Sequence, residues 1–183
     1  LLGAVRQEGD GAQSLLRVTT PDGEWRFVDI VAAPDFPAWW LRQFELQRVL
    51  PGDLGTFAWR QFAGFGDAVA DAGPGRLITG GMGQSNTTIR YDDVMFGKVF
   101  RRLRPGINPD EEVSRFLAER TSFRHLPVPF GSVSYQATNG DTYPVGMLFQ
   151  FAPNVGEGWG WTQELLATEP MPPYAAAARR LGE

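Results

Sequence analysis

The chain has 183 residues, which suffice for one medium-sized domain or for two small ones that share a core. A hydrophobic content of 43% with 13% aromatic residues indicates a globular fold, and the net charge of −4 excludes the broad basic surface that nucleic-acid binding requires. The absence of cysteine excludes disulfides, thiol catalysis and thiolate metal sites, and the single histidine, His125, excludes a metal site built from several histidines.

The beginning of the chain, residues 1–75, is interpreted as a β-rich N-terminal cap subdomain with one helix. Two segments of strand-like composition, Ser14–Thr20 and Glu24–Ala32, flank a Pro-Asp-Gly turn signal. Together they predict a β-hairpin.

A helix and a further strand are predicted after this hairpin. An apolar pattern of helical period over residues 40–50 predicts a helix that begins near Asp35 and ends before Pro51. Thr56–Phe62 is predicted as a strand. The small residues at 64–75 mark the predicted end of the cap.

The middle of the chain, residues 76–152, is interpreted as a second unit. Three strands are predicted there, Arg76–Thr79, Thr87–Tyr91 and Val94–Phe100, with a glycine-rich loop between the first two. Lys98, the only lysine among the 17 Lys and Arg residues, lies on the third strand. Its compact ammonium suits a phosphate in a way that a planar guanidinium does not.

A helix is predicted from Asn108, because proline at the next position suits a helix start and Glu111 completes a capping-box pattern. Its apolar stripe is predicted to pack on the sheet and comprises Val113, Phe116 and Leu117. Glu112 is expected on the same face. Because a buried acid needs a basic partner, Glu112 is expected to pair with Lys98.

Two last strands, Gly131–Gln136 and Thr142–Phe151, flank an Asn-Gly pair, which is a strong hairpin signal. Residues 153–183 are interpreted as a hinge connector and the start of a further lobe, with a helix opening at 174–181. The predicted fold class is therefore α+β, a β-rich cap followed by an antiparallel sheet with one packed helix.

The order of a glycine-rich loop, a lysine on the next strand but one and an acid on the following helix is typical of the protein-kinase-like nucleotide lobe. A dinucleotide-binding fold needs a helix directly after the loop, and a Walker loop needs lysine beside serine or threonine. Neither arrangement is present. Taken alone, the pattern also fits an ordinary β-hairpin with a surface lysine.

Residues 83–161 resemble the signature region of bacterial maltokinases, including those fused to or associated with trehalose synthase. The strings that carry the resemblance are QSNT, KVFRR, GINPD and FQFAPNVGEGW, which occur in the family's order. The resemblance implies a protein-kinase-like N-lobe that binds ATP, with Mg²⁺ as a second cofactor. It implies phosphorylation of maltose to maltose 1-phosphate in trehalose and α-glucan metabolism, with trehalose synthase as a partner.

The resemblance also implies residue roles. The loop that covers the phosphates would comprise Gln84, Ser85, Asn86 and Thr87. Lys98 would contact the ATP phosphates, and Glu112 would orient Lys98. Backbone groups of the hinge would meet adenine, and this hinge would comprise Gln150, Phe151 and Ala152.

Two glycines depart from the family's pattern, Gly83 where an acid is common and Gly97 where leucine is common, and we expect them to loosen the loop and the strand. The family's His-Gly-Asp catalytic loop and Asp-Phe-Glu metal-binding motif do not occur in the 183 residues. Phosphoryl transfer needs both functions. We therefore expect no catalytic residue and no metal ligand in this sequence, a C-lobe that is absent from it, and no kinase activity of this fragment alone.

Alternative functions stay open at this point. They are a kinase of the same superfamily acting on glucosamine or an aminoglycoside, a non-catalytic module that docks on trehalose synthase, and a carbohydrate-binding domain that uses Trp159 and Trp161. The cluster of Arg101, Arg102 and Arg104 is expected to hold a phosphate or, preferably, to anchor the acidic start of the predicted helix. Trp39 and Trp40 are expected in the core.

The sequence predicts a cytoplasmic location without a membrane or nucleic-acid partner. Its apolar runs fall short of the ~20 residues that span a bilayer, and the first residues lack the pattern of a signal peptide. His125, which precedes Leu-Pro, is expected to be a packed or surface loop residue.

Overall fold

The computed structural model describes residues 2–6, 14–78, 86–154, 160, 162–164, 175–176 and 178–180. These residues form β-strands in two antiparallel sheets together with α-helices, so the predicted α+β class is confirmed. Among these residues no helix combines the length and the apolar character that crossing a membrane requires.

The smaller sheet has three strands in the order β1-β3-β2. They are β1 (Leu2–Arg6), β2 (Ser14–Thr20) and β3 (Gly23–Asp29). The predicted hairpin is confirmed, but the prediction that its second strand continues to Ala32 is wrong. Ile30–Ala32 form a short 3₁₀ helix instead, because the carboxylate of Asp29 accepts the N–H of Val31 at 3.2 Å and caps that turn.

The larger sheet has seven antiparallel strands in the order β4-β5-β9-β10-β8-β7-β6. They are β4 (Val49–Gly52), β5 (Gly55–Gln61), β6 (Arg76–Ile78), β7 (Asn86–Tyr91), β8 (Met95–Phe100), β9 (Pro129–Ala137) and β10 (Thr142–Gln150). The predicted strand before residue 64 and the five predicted after residue 75 are confirmed within a few residues.

Because β4 and β5 belong to this sheet, the sheet extends across the predicted boundary at 64–75, where α2 (Phe65–Ala70) lies. The division into a cap and a second unit stays a prediction.

Helix α1 (Phe36–Glu45) covers one face of the larger sheet. Trp40 and Phe44 are fully buried in its core, whereas Trp39 is 41% exposed, so the predicted core position is wrong for Trp39. The sheet contributes to this core the residues Ile89, Tyr91, Met95, Val99, Val133 and Leu148. The predicted continuation of the helix to residue 50 is also wrong, because Val49–Gly52 pair with β5 as strand β4.

Helix α3 (Pro109–Arg120) lies on the opposite face, beside β9. Its predicted apolar stripe is only loosely packed, since the side chains of Val113 and Phe116 are 53% and 58% exposed. No residue of this helix is buried. The helix thus contacts the sheet at β9, and a cavity lies between the apolar stripe and strands β8 and β10.

Candidate functional site

Side chains along β8 alternate between the two layers that flank the sheet. The residues that face α1 are Met95, Gly97 and Val99, and all are buried. The residues that face the α3 layer are Phe96, Lys98 and Phe100, and all are partly exposed. Lys98 therefore projects from the sheet into the space between the strands and α3.

The ammonium group of Lys98 forms an ion pair with the first turn of α3. Its Nζ lies 2.9 Å from Oδ2 of Asp110, so the predicted pairing with Glu112 is wrong. Because each residue advances a helix by about 100°, Asp110 shares a face with Val113 and Leu117, which follow it by three and seven positions. Glu112 lies about 200° further round than Asp110 and lines a different cavity. The spacing from the apolar stripe would have identified Asp110.

Asn108 caps the start of α3, as predicted. Its Oδ1 accepts the N–H of Asp110 at 2.7 Å, and its backbone oxygen accepts the N–H groups of Glu111 and Glu112. The carboxylate of Glu111, predicted as the other half of a capping box, accepts the hydroxyl of Ser132 at 3.1 Å and so links α3 to β9. These bonds hold Asp110 opposite Lys98.

A cavity of about 410 Å³, the lysine cavity, lies between β8, β10 and α3. Lys98 and Asp110 are its charged lining residues. Its apolar lining comprises Phe96, Pro109, Val113, Leu117, Leu126, Pro127 and Phe149. The rings of Phe96 and Phe149 stack with centroids 5.3 Å apart, and Lys98 Nζ lies 5.6 Å from the centroid of Phe149. Two aromatic rings, of which Phe149 is only 5% exposed, thus line the cavity beside one ion pair.

The pairing of Phe96 with Phe149 was not predicted from the sequence. Phe96 precedes Lys98 by two positions on a predicted strand, and that spacing alone puts both side chains on one face. Phe149 is brought to the site by the register of β8 with β10, in which it lies directly opposite Phe96. That register is a tertiary feature that the order of residues does not reveal.

A second cavity of about 460 Å³, the arginine cavity, adjoins the first, because Pro109 and Asp110 line both. Arg102 and Arg104 lie on it together with Asn86, the first residue of β7. One predicted phosphate-loop residue and two members of the predicted arginine cluster therefore meet at one place.

Arg101 points elsewhere, to the carboxylate of Asp29 at the end of β3. Its Nη1 donates to Oδ1 at 3.1 Å and its Nη2 donates to Oδ2. Burial by itself would raise the pKa of Asp29, but the bonds and charge of Arg101, with the N–H of Val31, outweigh it and lower that pKa. The expectation that the cluster anchors the start of α3 is wrong for Arg101, which instead joins β8 to the smaller sheet.

The predicted hinge lies at the end of β10, and three of its backbone groups already have partners. The N–H of Gln150 donates to Val128 O at 2.7 Å, and the N–H of Phe151 donates to Val94 O at 2.8 Å. The carbonyl of Ala152 accepts from the side chain of Asn154 at 3.1 Å. An adenine at this position would have to meet other groups of the segment or replace these bonds, and its contact here stays a prediction.

The remaining predicted residues are less informative. Thr87 lies opposite Val99, so its side chain faces the α1 layer and not the lysine cavity. His125 is an exposed loop residue whose ring meets that of Phe123 edge-on at 5.6 Å. Five residues that were singled out lie outside the described ranges, namely Gly83, Gln84, Ser85, Trp159 and Trp161.

A comparison of the sequence with models of known protein families finds no match. In the described part of the chain, no group of three or more Asp, Glu or His side chains is arranged to hold a metal ion. The nucleotide-binding roles that the resemblance implies therefore stay predictions.

Proposed function

We propose that this chain is the ATP-binding part of an ATP-dependent sugar kinase that phosphorylates maltose to maltose 1-phosphate. The observation that carries the proposal is the position of Lys98. Its ammonium stands between an acid of α3 and an aromatic surface, on a cavity whose volume lies in the range of small-molecule sites.

The order of elements supports the proposal. From β6 to β10 the described elements are a strand, a second strand, the lysine-bearing strand, a helix and a two-stranded hairpin, and the glycine-rich sequence lies between the first two strands. In protein-kinase-like lobes the lysine likewise lies on the third strand and pairs with an acid of the following helix. Here the acid is Asp110, two residues before the glutamate that the resemblance implied.

The chemistry of the lysine cavity suits a nucleotide. The stacked rings of Phe96 and Phe149 provide an apolar surface against which a purine can lie, and Lys98 provides a point charge for phosphate oxygens. An ammonium bonded to a single carboxylate keeps two further N–H donors for such a ligand. The described residues include no group of three or more acidic or histidine side chains that could hold Mg²⁺. Other groups of the protein would have to hold this ion.

The acceptor rests on the resemblance to maltokinases alone. Maltose would receive the γ-phosphate at its anomeric hydroxyl, and the product would enter α-glucan synthesis next to trehalose synthase. The acceptor test uses the natural protein that contains this chain and measures ADP release with maltose and with glucosamine. Release that depends on glucosamine and not on maltose would replace the proposed substrate.

The nucleotide test is a calorimetric titration of the 183-residue chain with ATP. We expect saturable binding that Lys98→Met weakens by about tenfold or more, because a charge-assisted contact is lost. The matched control is Arg42→Met, which removes a cation that also pairs with a carboxylate, that of Glu45, on the far side of the sheet. Absence of ATP binding by the unchanged chain, or an equal effect of both variants, would overturn the proposal.

A further inference from the structure

The arginine cavity is lined by two cations, the guanidinium groups of Arg102 and Arg104. In the part of the chain that the structure describes, no carboxylate pairs with Arg102 or Arg104, whereas their neighbour Arg101 is bonded to Asp29. Among the described residues that line the cavity, Asp110 is the only acidic one, and its carboxylate is already bonded to Lys98. The cavity is therefore cationic in a chain whose net charge is −4.

We propose that Arg102 and Arg104 form a phosphate subsite in this cavity, which takes part of the phosphate chain of a nucleotide whose base occupies the lysine cavity. The inference rests on the proposed function and names residues of the same site that the resemblance did not supply. Guanidinium groups bind phosphate oxygens through two parallel N–H bonds. The carboxylate of Asp110 on the cavity wall is bonded to Lys98, so the described residues leave the N–H groups of both arginines open to such a ligand.

The positions of the two cavities support a single ligand. Arg102 follows Lys98 by four residues, so their Cα atoms are at most about 14 Å apart, and both long side chains reach the space around Asp110. Asn86 adds an amide donor on the same wall. The phosphate chain of a nucleotide bound at the ammonium of Lys98 would extend past Asp110 into the arginine cavity.

The helix start itself does not carry the subsite. The N–H of Asp110 is bonded to Asn108 Oδ1, and those of Glu111 and Glu112 are bonded to Asn108 O. The first turn thus has these donors occupied, and the anion would be held by arginine side chains. Such contacts are sensitive to the removal of either guanidinium.

The test compares three probes, ATP, adenosine and inorganic tripolyphosphate, by calorimetric titration of the 183-residue chain. The variant is the double substitution Arg102→Ala with Arg104→Ala. The matched control is Arg48→Ala with Arg120→Ala, which removes the same charge from two exposed arginines that lie on neither cavity. Circular dichroism verifies that both variants are folded. Because the substituted arginines are exposed, we expect their replacement to leave the fold intact.

We expect the double variant to bind ATP about tenfold or more weakly and adenosine unchanged, while the control binds both like the original chain. Unchanged ATP affinity in the double variant, together with lost affinity in Lys98→Met, would overturn the subsite and leave the proposed function intact. Binding of tripolyphosphate but of neither ATP nor adenosine would overturn both, and would assign the arginine cavity to free polyphosphate.

Discussion

The indole of Trp40 occupies the space that a side chain at Gly97 would fill. A Cβ atom at Gly97 would overlap Cζ3 of Trp40, and one at Gly146 on the next strand would lie 2.9 Å from Cζ2 of the same ring. Glycine at position 97 therefore has a packing role, and the expectation that it loosens the strand before Lys98 stays a prediction. Glycine lets α1 approach the sheet closely, and the indole supports the strand from behind the lysine cavity.

Gly97→Ala is expected to destabilise the chain by about 1–3 kcal/mol, because the added methyl group overpacks a core that the indole already fills. Urea unfolding followed by tryptophan fluorescence measures this change. The matched control is Gly66→Ala in α2, where no atom lies within 4 Å of the added Cβ. This control is expected to be neutral or to stabilise, since alanine favours a helix over glycine.

The same clash is tested in a Trp40→Leu background. Trp40→Leu removes the indole ring that lies against Gly97. The loss of stability caused by Gly97→Ala should therefore be smaller in this background than in the original chain. Equal losses in the two backgrounds would show that the two residues do not compete for space.

Lys98 is expected to be coupled to Asp110 and not to Glu112. Both side chains of the observed pair are about a third or more exposed, 32% for Lys98 and 44% for Asp110, so their coupling should be about 0.2–1 kcal/mol. Double-mutant cycles with Lys98→Met, using Asp110→Asn and Glu112→Gln, measure this by urea unfolding. Coupling that is larger with Glu112 would favour the pairing that the resemblance implied.

Tyr91 is expected to make stability fall at alkaline pH. Its hydroxyl donates to Pro37 O at 2.8 Å in the core, and burial raises the pKa of its phenol well above the usual value of about 10. As pH rises past about 10, the unfolded chain loses this proton while the folded chain keeps it, so stability decreases.

Tyr91→Phe is therefore expected to destabilise the chain by about 1 kcal/mol at pH 8, because Pro37 O loses its donor. The difference in unfolding free energy between this variant and the original chain should be smaller at pH 11. At that pH the original chain loses stability because Tyr91 ionises in its unfolded state, and the variant has no phenol at this position. Urea unfolding at both values decides this, and a difference that grows with pH would contradict it.

Removal of Arg101 is expected to raise the pKa of Asp29. In the folded chain this pKa lies below its usual value, so the pair stabilises at neutral pH, and the contribution is lost as pH falls through the lowered pKa. In Arg101→Ala the effect of burial remains without the opposing charge, and the pKa should rise. Titration of the carboxyl by NMR measures it.

The matched control for this titration is Arg102→Ala, which removes a neighbouring cation that does not contact Asp29. The Asp29 pKa should stay low in that variant. The loss of stability in Arg101→Ala at pH 7 should be about 1 kcal/mol, as is typical of partly exposed ion pairs. A pKa that is unchanged in both variants would mean that Arg101 does not determine it.

The features predicted correctly depend on residues close together in the chain. The hairpin at Asn139 and Gly140 and the helix start at Asn108 are signalled within four positions, and turn and cap geometries need no distant partner. Strand-like composition also predicted β7 and β8 within two residues of their observed bounds, so Lys98 was placed on the correct strand.

By itself the sequence determined that an α+β chain carries one lysine on a strand between a glycine-rich loop and a capped helix. Only the tertiary structure decided that Asp110 meets this lysine, that Gly97 admits Trp40, and that β4 and β5 extend the same sheet. These relationships depend on how strands pair and how helices pack when they are far apart along the chain. Each of them is determined by many contacts together. No window of neighbouring residues contains that information.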